Sequence, residues 1–94
     1  MFFYVGLVEL TPEGREKLAS APLYFDKIRA IIEEEGGELD RAFTVMGPWD
    51  FLAIVKYPDN EAAFRALGKI GKLEVVRTET FPIEDVEVFL KTLV

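Results

Sequence analysis

Five side chains carry the groups with which this sequence could bind or transform a ligand: Tyr4, Trp49, Asp50, Arg77 and Glu79. They offer a phenol, an indole, two carboxylates and a guanidinium. Histidine and cysteine are absent, so the usual zinc and haem sites and the Ser–His–Asp and Cys–His arrangements cannot be built. An active site would have to use carboxylates, tyrosines, lysines, arginines or backbone dipoles, and we expect neither a metal nor a cofactor.

The segment GPWD, residues 47–50, contains the only tryptophan and precedes an apolar run. It predicts a tight turn, in which Pro48 fixes φ and Asp50 accepts hydrogen bonds from backbone N–H groups. Trp49 would then pack against the sheet or a partner subunit. The alternative is a pocket with Trp49 as its wall and Asp50 as its polar anchor.

Alternation in Val75–Phe81 predicts that Arg77 and Glu79 lie on one face of a strand, beside Val75 and Phe81. The interpretation favoured is an ion pair across a subunit interface, because structural networks readily imitate functional sites. The alternative is a ligand anchor, in which Arg77 binds a carboxylate and Glu79 orients it or acts as a base. The hydroxyl of Tyr4 could face a cavity, although single tyrosines are usually core or interface residues.

The elements that would position these residues can be read from periodicity and capping signals. Residues 2–9 predict a first strand. Thr11 and Pro12 open a short helical turn, Pro22 interrupts it, and a longer helix ends at Gly36. Strands are expected over residues 39–46, 51–57 and 73–81. A second helix runs from Asp59 or Asn60 to Gly71, and its buried stripe is predicted as Ala63, Phe64, Leu67 and Ile70.

A closing helix after Pro82 is the remaining element, although VEVFL would also suit a strand. The resulting order is βαββαβ plus a C-terminal helix, an α+β ferredoxin-like sandwich formed by a single domain of residues 1–94. Two helices cover only one face of four strands, yet the runs FFYVGLV and FLAIV are apolar on both sides. The pattern therefore predicts a homodimer, or a higher homo-oligomer, packed sheet to sheet.

Composition limits the classes of partner that this protein could bind. The net charge of −6 argues against nucleic acid and against anionic membrane surfaces. No apolar run approaches the roughly 20 residues of a membrane-spanning helix, and MFFYVGLV lacks the basic start of a signal peptide, so a cytoplasmic location is expected. The single Asn and the absence of Gln and Cys favour a thermophilic source.

Several motifs together carry a resemblance to a family. LTPEG follows the first strand, GG precedes the second, GPWD forms the hairpin, and PDNEAA and VRTET follow at matching spacing. Over nearly its full length the chain resembles the GYD domain family, whose members are similar to dimeric ferredoxin-like barrels. Gly47 and Asp50 match the ends of the family signature, whereas Trp49 replaces its tyrosine. The second half also resembles the effector-binding domain of leucine-responsive transcription regulators.

The resemblance implies a fold and a dimer but no reaction. We therefore expect a module that binds a small metabolite, either between sheet and helices or at the dimer interface. The alternatives are a cofactor-independent enzyme, since dimeric barrels include monooxygenases and isomerases, and a purely structural assembly subunit. The absence of histidine, the commonest general base, lowers the expectation of an enzyme.

Overall fold

A computed structural model describes residues 1–94 and contains one four-stranded antiparallel sheet. Its elements are β1 (Phe2–Leu10), α1 (Pro12–Glu16), a 3-10 turn (Leu18–Ser20), α2 (Ala21–Glu34), β2 (Glu38–Thr44), β3 (Phe51–Tyr57), α3 (Asn60–Gly71), β4 (Val76–Ile83) and α4 (Val86–Lys91). The strand order β2–β3–β1–β4 places the two most apolar strands at the centre, as predicted for a ferredoxin-like sandwich. None of the helices has the length and apolar character needed to cross a bilayer.

Side-chain caps explain where the helices begin. The Oγ1 of Thr11 accepts a hydrogen bond from the N–H of Gly14 at 3.0 Å, and Pro12 occupies the first turn of α1. Asp59 caps α3 in the same way, through its Oδ1 and the N–H of Ala62 at 2.8 Å. Pro22 does not break a helix but lies in the first turn of α2, where its missing N–H needs no partner.

Two strands are shorter than the sequence predicts. β2 ends at Thr44 rather than Met46, because the turn that contains Gly47, with φ of +132°, begins there. β4 begins at Val76 rather than Leu73, because Glu74 has φ of +60°, a left-handed conformation that a strand does not accommodate. Val75 therefore lies outside the alternation of β4 and is buried, so the prediction that it shares a face with Arg77 was wrong.

The inner face of the sheet packs against α2 and α3. Its core consists of Tyr4, Ile32, Val55, Tyr57, Ala62, Ala63, Ala66 and Ile70. The predicted stripe of α3 was wrong for Phe64, which is 73% exposed. Phe64 follows Ala63 by one helical step of about 100°, so it points away while the alanines let α3 approach the sheet.

The opposite side, which we call the outer sheet face, has no helix over it. Strand register and alternation place on it the apolar side chains Phe3, Val5, Leu7, Phe43, Leu52, Ile54, Phe81 and Ile83. Four of them, the phenylalanines and Ile83, remain 40–47% exposed. α4 is the helix predicted for VEVFL rather than the alternative strand, but it begins only at Val86, because β4 continues through Pro82 to Ile83. Every residue from Phe81 to Val94 is exposed.

Candidate functional site

A cavity of about 510 Å³ lies between α2 and the inner face of the sheet. Its walls are formed by 19 residues, of which 14 are hydrophobic. The volume falls within the roughly 300–1,000 Å³ of small-molecule sites, and the lining has the apolar character of such sites.

Small side chains on the sheet create this space. Ala42 in β2 pairs with Ala53 in β3, and both lie on the inner face beneath α2. Across from them α2 contributes Tyr24, Ile28 and Ile32. Two alanines side by side leave a depression that the helix spans without filling.

α1 forms one end of the cavity, and Gly14 lets it lie close to the chain before β4. A Cβ atom on Gly14 would lie 2.1 Å from the carbonyl oxygen of Val75, a backbone atom that cannot step aside. The same region is tied by Thr11, whose N–H donates to that oxygen at 3.0 Å and whose hydroxyl donates to the carbonyl of Glu74 at 2.7 Å. α1 is therefore held directly against the start of β4.

A second cavity, of about 60 Å³, adjoins the first and shares five of its lining residues: Val8, Ile28, Ile32, Ala53 and Val76. It is also lined by Gly6 and by Thr78 and Thr80. These threonines lie on the inner face of β4, opposite Val8 and Gly6 of β1. The apolar space under α2 thus extends toward two hydroxyl-bearing residues.

Asp50, proposed as a pocket anchor or a turn residue, has the contacts of a turn residue. Its Oδ2 accepts a hydrogen bond from the backbone N–H of Leu10 at 2.8 Å and lies 3.3 Å from Nη2 of Arg15. Its own N–H donates to the carbonyl of Val8 at 2.8 Å. Asp50 therefore fastens the β2–β3 hairpin to the end of β1. Trp49 beside it is partly exposed, and neither residue lines the cavity.

Arg77 and Glu79 lie on one face of β4, as predicted, and this is the outer sheet face. Within one chain Arg77 pairs with Glu9, directly opposite in β1, with 3.1 Å between Nη2 and Oε1. Glu79 lies opposite Leu7 and has no cation within ion-pair distance. Neither residue lines the cavity, and an ion pair across a subunit interface stays a prediction.

Tyr4 lies on the inner face, in the core. Its hydroxyl donates to Oδ1 of Asn60, and its ring meets that of Tyr57 edge to face, 5.4 Å between centroids. Burial, with smaller contributions from Tyr4 and Glu35, raises the pKa of Tyr57 to about 12. The Tyr57 phenol therefore stays neutral near pH 7. Tyr4 lines neither cavity.

The five residues singled out from the sequence thus lie at three separate places: the core, the hairpin and the outer sheet face. The sequence predicted a cavity either between sheet and helices or at the dimer interface, with Trp49 as a possible wall, but none of the residues that line the observed cavity was among those singled out. The signal was present as alanines at inward strand positions, 42 and 53, facing the aromatic side of α2. Alanine has no functional group, so a search for residues that could do chemistry does not identify these positions.

Comparison with known proteins adds a family and a fold. The GYD domain family model matches residues 4–93. A curated relative, the glutamine synthetase and cystathionine beta-lyase binding protein of Thermus thermophilus, is 27% identical in an alignment of 92 positions that covers 94% of this chain and 97% of the relative.

Solved structures share the fold at low identity. The feast or famine regulatory protein of M. tuberculosis complexed with L-methionine has a TM-score of 0.63 and 17% identity over 90% of this chain. A homoserine dehydrogenase from Thiobacillus denitrificans has a TM-score of 0.62 and 16% identity over 88% of this chain. The chain spans about half of the regulator (51%) and 17% of the dehydrogenase, so these likenesses concern the fold of one domain.

Proposed function

The chain belongs to the GYD domain family, and from that premise we propose that it is a homodimeric binding module that holds a small apolar metabolite between α2 and the sheet. The observation that carries the proposal is the cavity of about 510 Å³ with its mainly hydrophobic lining. Protein interiors are otherwise close-packed and have few voids larger than a water molecule. A cleft of this size beneath α2 has room for a small molecule, which supports a binding site there.

The homodimer rests on surfaces that one chain leaves uncovered. The outer sheet face carries eight apolar side chains with no helix over them, beside charged residues such as Arg77 and Glu79, and monomeric proteins rarely expose large apolar patches. α4 adds Val86, Phe89 and Leu90, which share one helical face, and Leu93 follows in the turn after the helix; these four residues are 49–65% exposed. A second copy that packs sheet to sheet would cover the outer sheet face. The apolar side of α4 would pack against the same partner.

The shape of the chain agrees with this interpretation. Its radius of gyration is 14.2 Å, whereas a compact chain of this length has about 12 Å. The principal extents of 51 × 30 × 16 Å describe a slab, one sheet and one helical layer thick. A slab with an apolar outer side can bury that side by packing against an identical slab, which supports a second copy of the chain as the partner.

The binding proposal is tested with N-phenyl-1-naphthylamine, a neutral apolar fluorophore. Ala42→Phe places a ring in the cavity, while Ala30→Phe makes the same change at an exposed position of α2 that lines no cavity. We expect Ala42→Phe to weaken binding of the fluorophore by about tenfold or more, since the new ring removes contact area equal to that of one ring of the fluorophore. Ala30→Phe should bind the fluorophore like the wild type. Equal binding by both variants would show that the probe binds elsewhere.

A second candidate function is binding to an enzyme. The observation that favours it is the relative from T. thermophilus, whose name describes binding to glutamine synthetase and cystathionine beta-lyase. Immobilised chain would be exposed to each purified T. thermophilus enzyme, with the relative as the positive control. Retention of an enzyme by the relative but not by this chain would dismiss the candidate.

A further inference from the structure

Two charged side chains of the outer sheet face have no partner of opposite charge within their own chain. Arg41 lies on this face at the β2 edge, because its neighbour Ala42 points inward and lines the cavity. Glu79 lies on the same face at the opposite edge, in β4. No carboxylate lies within ion-pair distance of Arg41, and no cation lies within that distance of Glu79. Both residues are exposed in the single protomer.

Strand register relates the positions of these two charges. One row of paired residues crosses the outer sheet face from edge to edge: Phe43 in β2, Leu52 in β3, Leu7 in β1 and Glu79 in β4. The Cζ of Arg41 lies 4.6 Å from the ring centroid of Phe43, so the guanidinium is held over one end of this row. Three strand spacings separate that end from Glu79, which is roughly 14 Å. The two charges therefore cannot pair within one chain.

A second copy of the chain brings the two charges together if the two-fold axis runs along the strands. Two sheets in aligned packing keep their strands within about 30° of each other. Rotation about such an axis places β2 of one protomer over β4 of the other and leaves each residue in its own row. Phe43 then faces Glu79 of the partner subunit, with the guanidinium of Arg41 over the Phe43 ring. Because a two-fold interface uses the same patch on both subunits, this contact forms twice.

An axis that runs across the strands matches the charges less well. It places each strand over its own copy, β2 on β2 and β4 on β4. The carboxylates of β2, Glu38 and Asp40, lie at one end of the sheet, whereas the cation of β4, Arg77, lies at the other end. An axis centred near one end therefore pairs either Arg41 or Glu79 and leaves the other without a partner. An unpaired charge inside an interface is costly.

From this complementarity we propose that the outer sheet face binds a second copy whose two-fold axis runs along the strands, and that two Arg41–Glu79 ion pairs fix this orientation. The inference rests on the homodimer of the proposed function, to which it adds an orientation and two contacts between subunits. It differs from the sequence prediction, in which Arg77 and Glu79 pair across the interface, because Arg77 already pairs with Glu9 in its own chain.

Charge reversal at the two positions, singly and together, tests the pairing. Arg41→Glu sets two acids against each other at both contacts, and Glu79→Arg sets two cations against each other. The double variant restores opposite charges with their positions exchanged. Lys72→Glu, Glu33→Arg and their combination are the matched controls, because they reverse charges at exposed positions on the helical side. Sedimentation equilibrium gives the dissociation constant of each dimer, and circular dichroism checks that each variant is folded.

We expect each single variant to raise the dissociation constant of the dimer by about tenfold or more, since two partly exposed ion pairs are lost and like charges replace them. The double variant should return to within about threefold of the wild type, and the controls should match the wild type. Low ionic strength gives the largest differences, because salt screens such pairs.

The inference and the proposed function fail in different ways. Single variants that dimerise as tightly as the wild type would overturn the two ion pairs, while the homodimer would stand. Weakening without recovery in the double variant would also overturn them, and an effect of Glu79→Arg alone would indicate Arg77 as the partner of Glu79. A wild type that stays monomeric at every concentration would contradict the homodimer of the proposed function itself.

Discussion

The Oδ2 atom of Asp50 accepts a hydrogen bond from the backbone N–H of Leu10 at 2.8 Å, across 40 residues of chain. This bond joins the β2–β3 hairpin to the end of β1, just before α1 begins. The same oxygen lies 3.3 Å from Nη2 of Arg15 in α1. Since Leu10 and Gly14 line the cavity, Asp50 braces one wall of the candidate site without entering it.

Asp50→Ala should therefore lower the free energy of unfolding by about 1–3 kcal/mol, because it leaves the N–H of Leu10 without its acceptor. Urea unfolding at neutral pH measures the change. Asp40→Ala is the control: it removes an exposed carboxylate 3.8 Å from Lys56, and such pairs contribute at most about 1 kcal/mol. Equal losses in the two variants would contradict the bracing role of Asp50.

Gly14→Ala should be strongly destabilising, by about 1–3 kcal/mol or more, since the new Cβ would collide with the carbonyl oxygen of Val75. Gly68→Ala makes the same change in α3 where no atom lies within 4 Å. It should stabilise by about 0.5–1 kcal/mol, because alanine is the better helix former. The two thermal unfolding temperatures should move in opposite directions. A tolerated Gly14→Ala would mean that α1 is free to shift away from β4.

Acid sensitivity should depend on Glu35, which joins the end of α2 to α3. Hydrogen bonds from Lys69, at 2.7 Å, and Arg65, at 2.6 Å, lower the pKa of Glu35. A carboxylate whose pKa is lowered on folding stabilises the fold at pH values above its pKa in the unfolded chain, which is near 4.3. That stabilisation is lost as the pH falls through the unfolded and then the folded pKa.

Glu35→Gln should therefore show a shallower fall in unfolding free energy below about pH 5 than the wild type. Glu33→Gln, two positions earlier on an exposed part of α2, should retain the wild-type slope. Denaturant unfolding at a series of pH values gives both slopes. Parallel curves for wild type and Glu35→Gln would show that the ion pairs contribute nothing to folding.

Dimer formation should depend on the outer sheet face and not on hydrophobic exposure in general. Ile54→Asp places a charge at the centre of that face and should yield monomers, because an unpaired charge is costly to bury. Phe64→Asp alters a more exposed apolar residue, on α3, and should leave the dimer intact. Sedimentation velocity over a range of concentrations distinguishes the two. A wild-type monomer at every concentration would refute the proposed assembly.

α4 should contribute to the dimer rather than to the fold of one chain. A chain that ends at Asp85 loses only residues that are exposed in the single protomer. We expect it to retain the β-sheet signal in circular dichroism and to dissociate at higher concentration than the full chain. Loss of folded structure in a truncated monomer would show that α4 stabilises its own domain.

Much of the fold could be predicted because its signals are local. Thr11 and Asp59 indicate where two helices begin, and the two apolar runs identify the central strands. The start of β4 could not be predicted, because residues 73–75 suit a strand in composition and only the backbone shows that Glu74 is left-handed. The side of α3 that Phe64 occupies was wrongly predicted for a related reason: hydrophobicity does not reveal that three alanines, with Ile70, form the buried side of α3.

The candidate site was predicted less completely than the fold. A search for chemical groups leads to Trp49, Asp50, Arg77 and Glu79, whereas the cavity is formed by small side chains with no chemistry of their own. Which alanines face a helix across a gap depends on tertiary packing, and that information is not contained in any single stretch of sequence.

The location of a bound ligand tests the account most directly. Backbone amide NMR shifts would be followed while octan-1-ol, which carries no charge, is added to the wild-type protein. We predict that the largest changes occur at Gly14, Ala42 and Ala53, which line the cavity, and that Trp49, Arg77 and Glu79 barely move. Shifts concentrated on the hairpin and the outer sheet face, with the cavity residues unchanged, would contradict a binding site beneath α2.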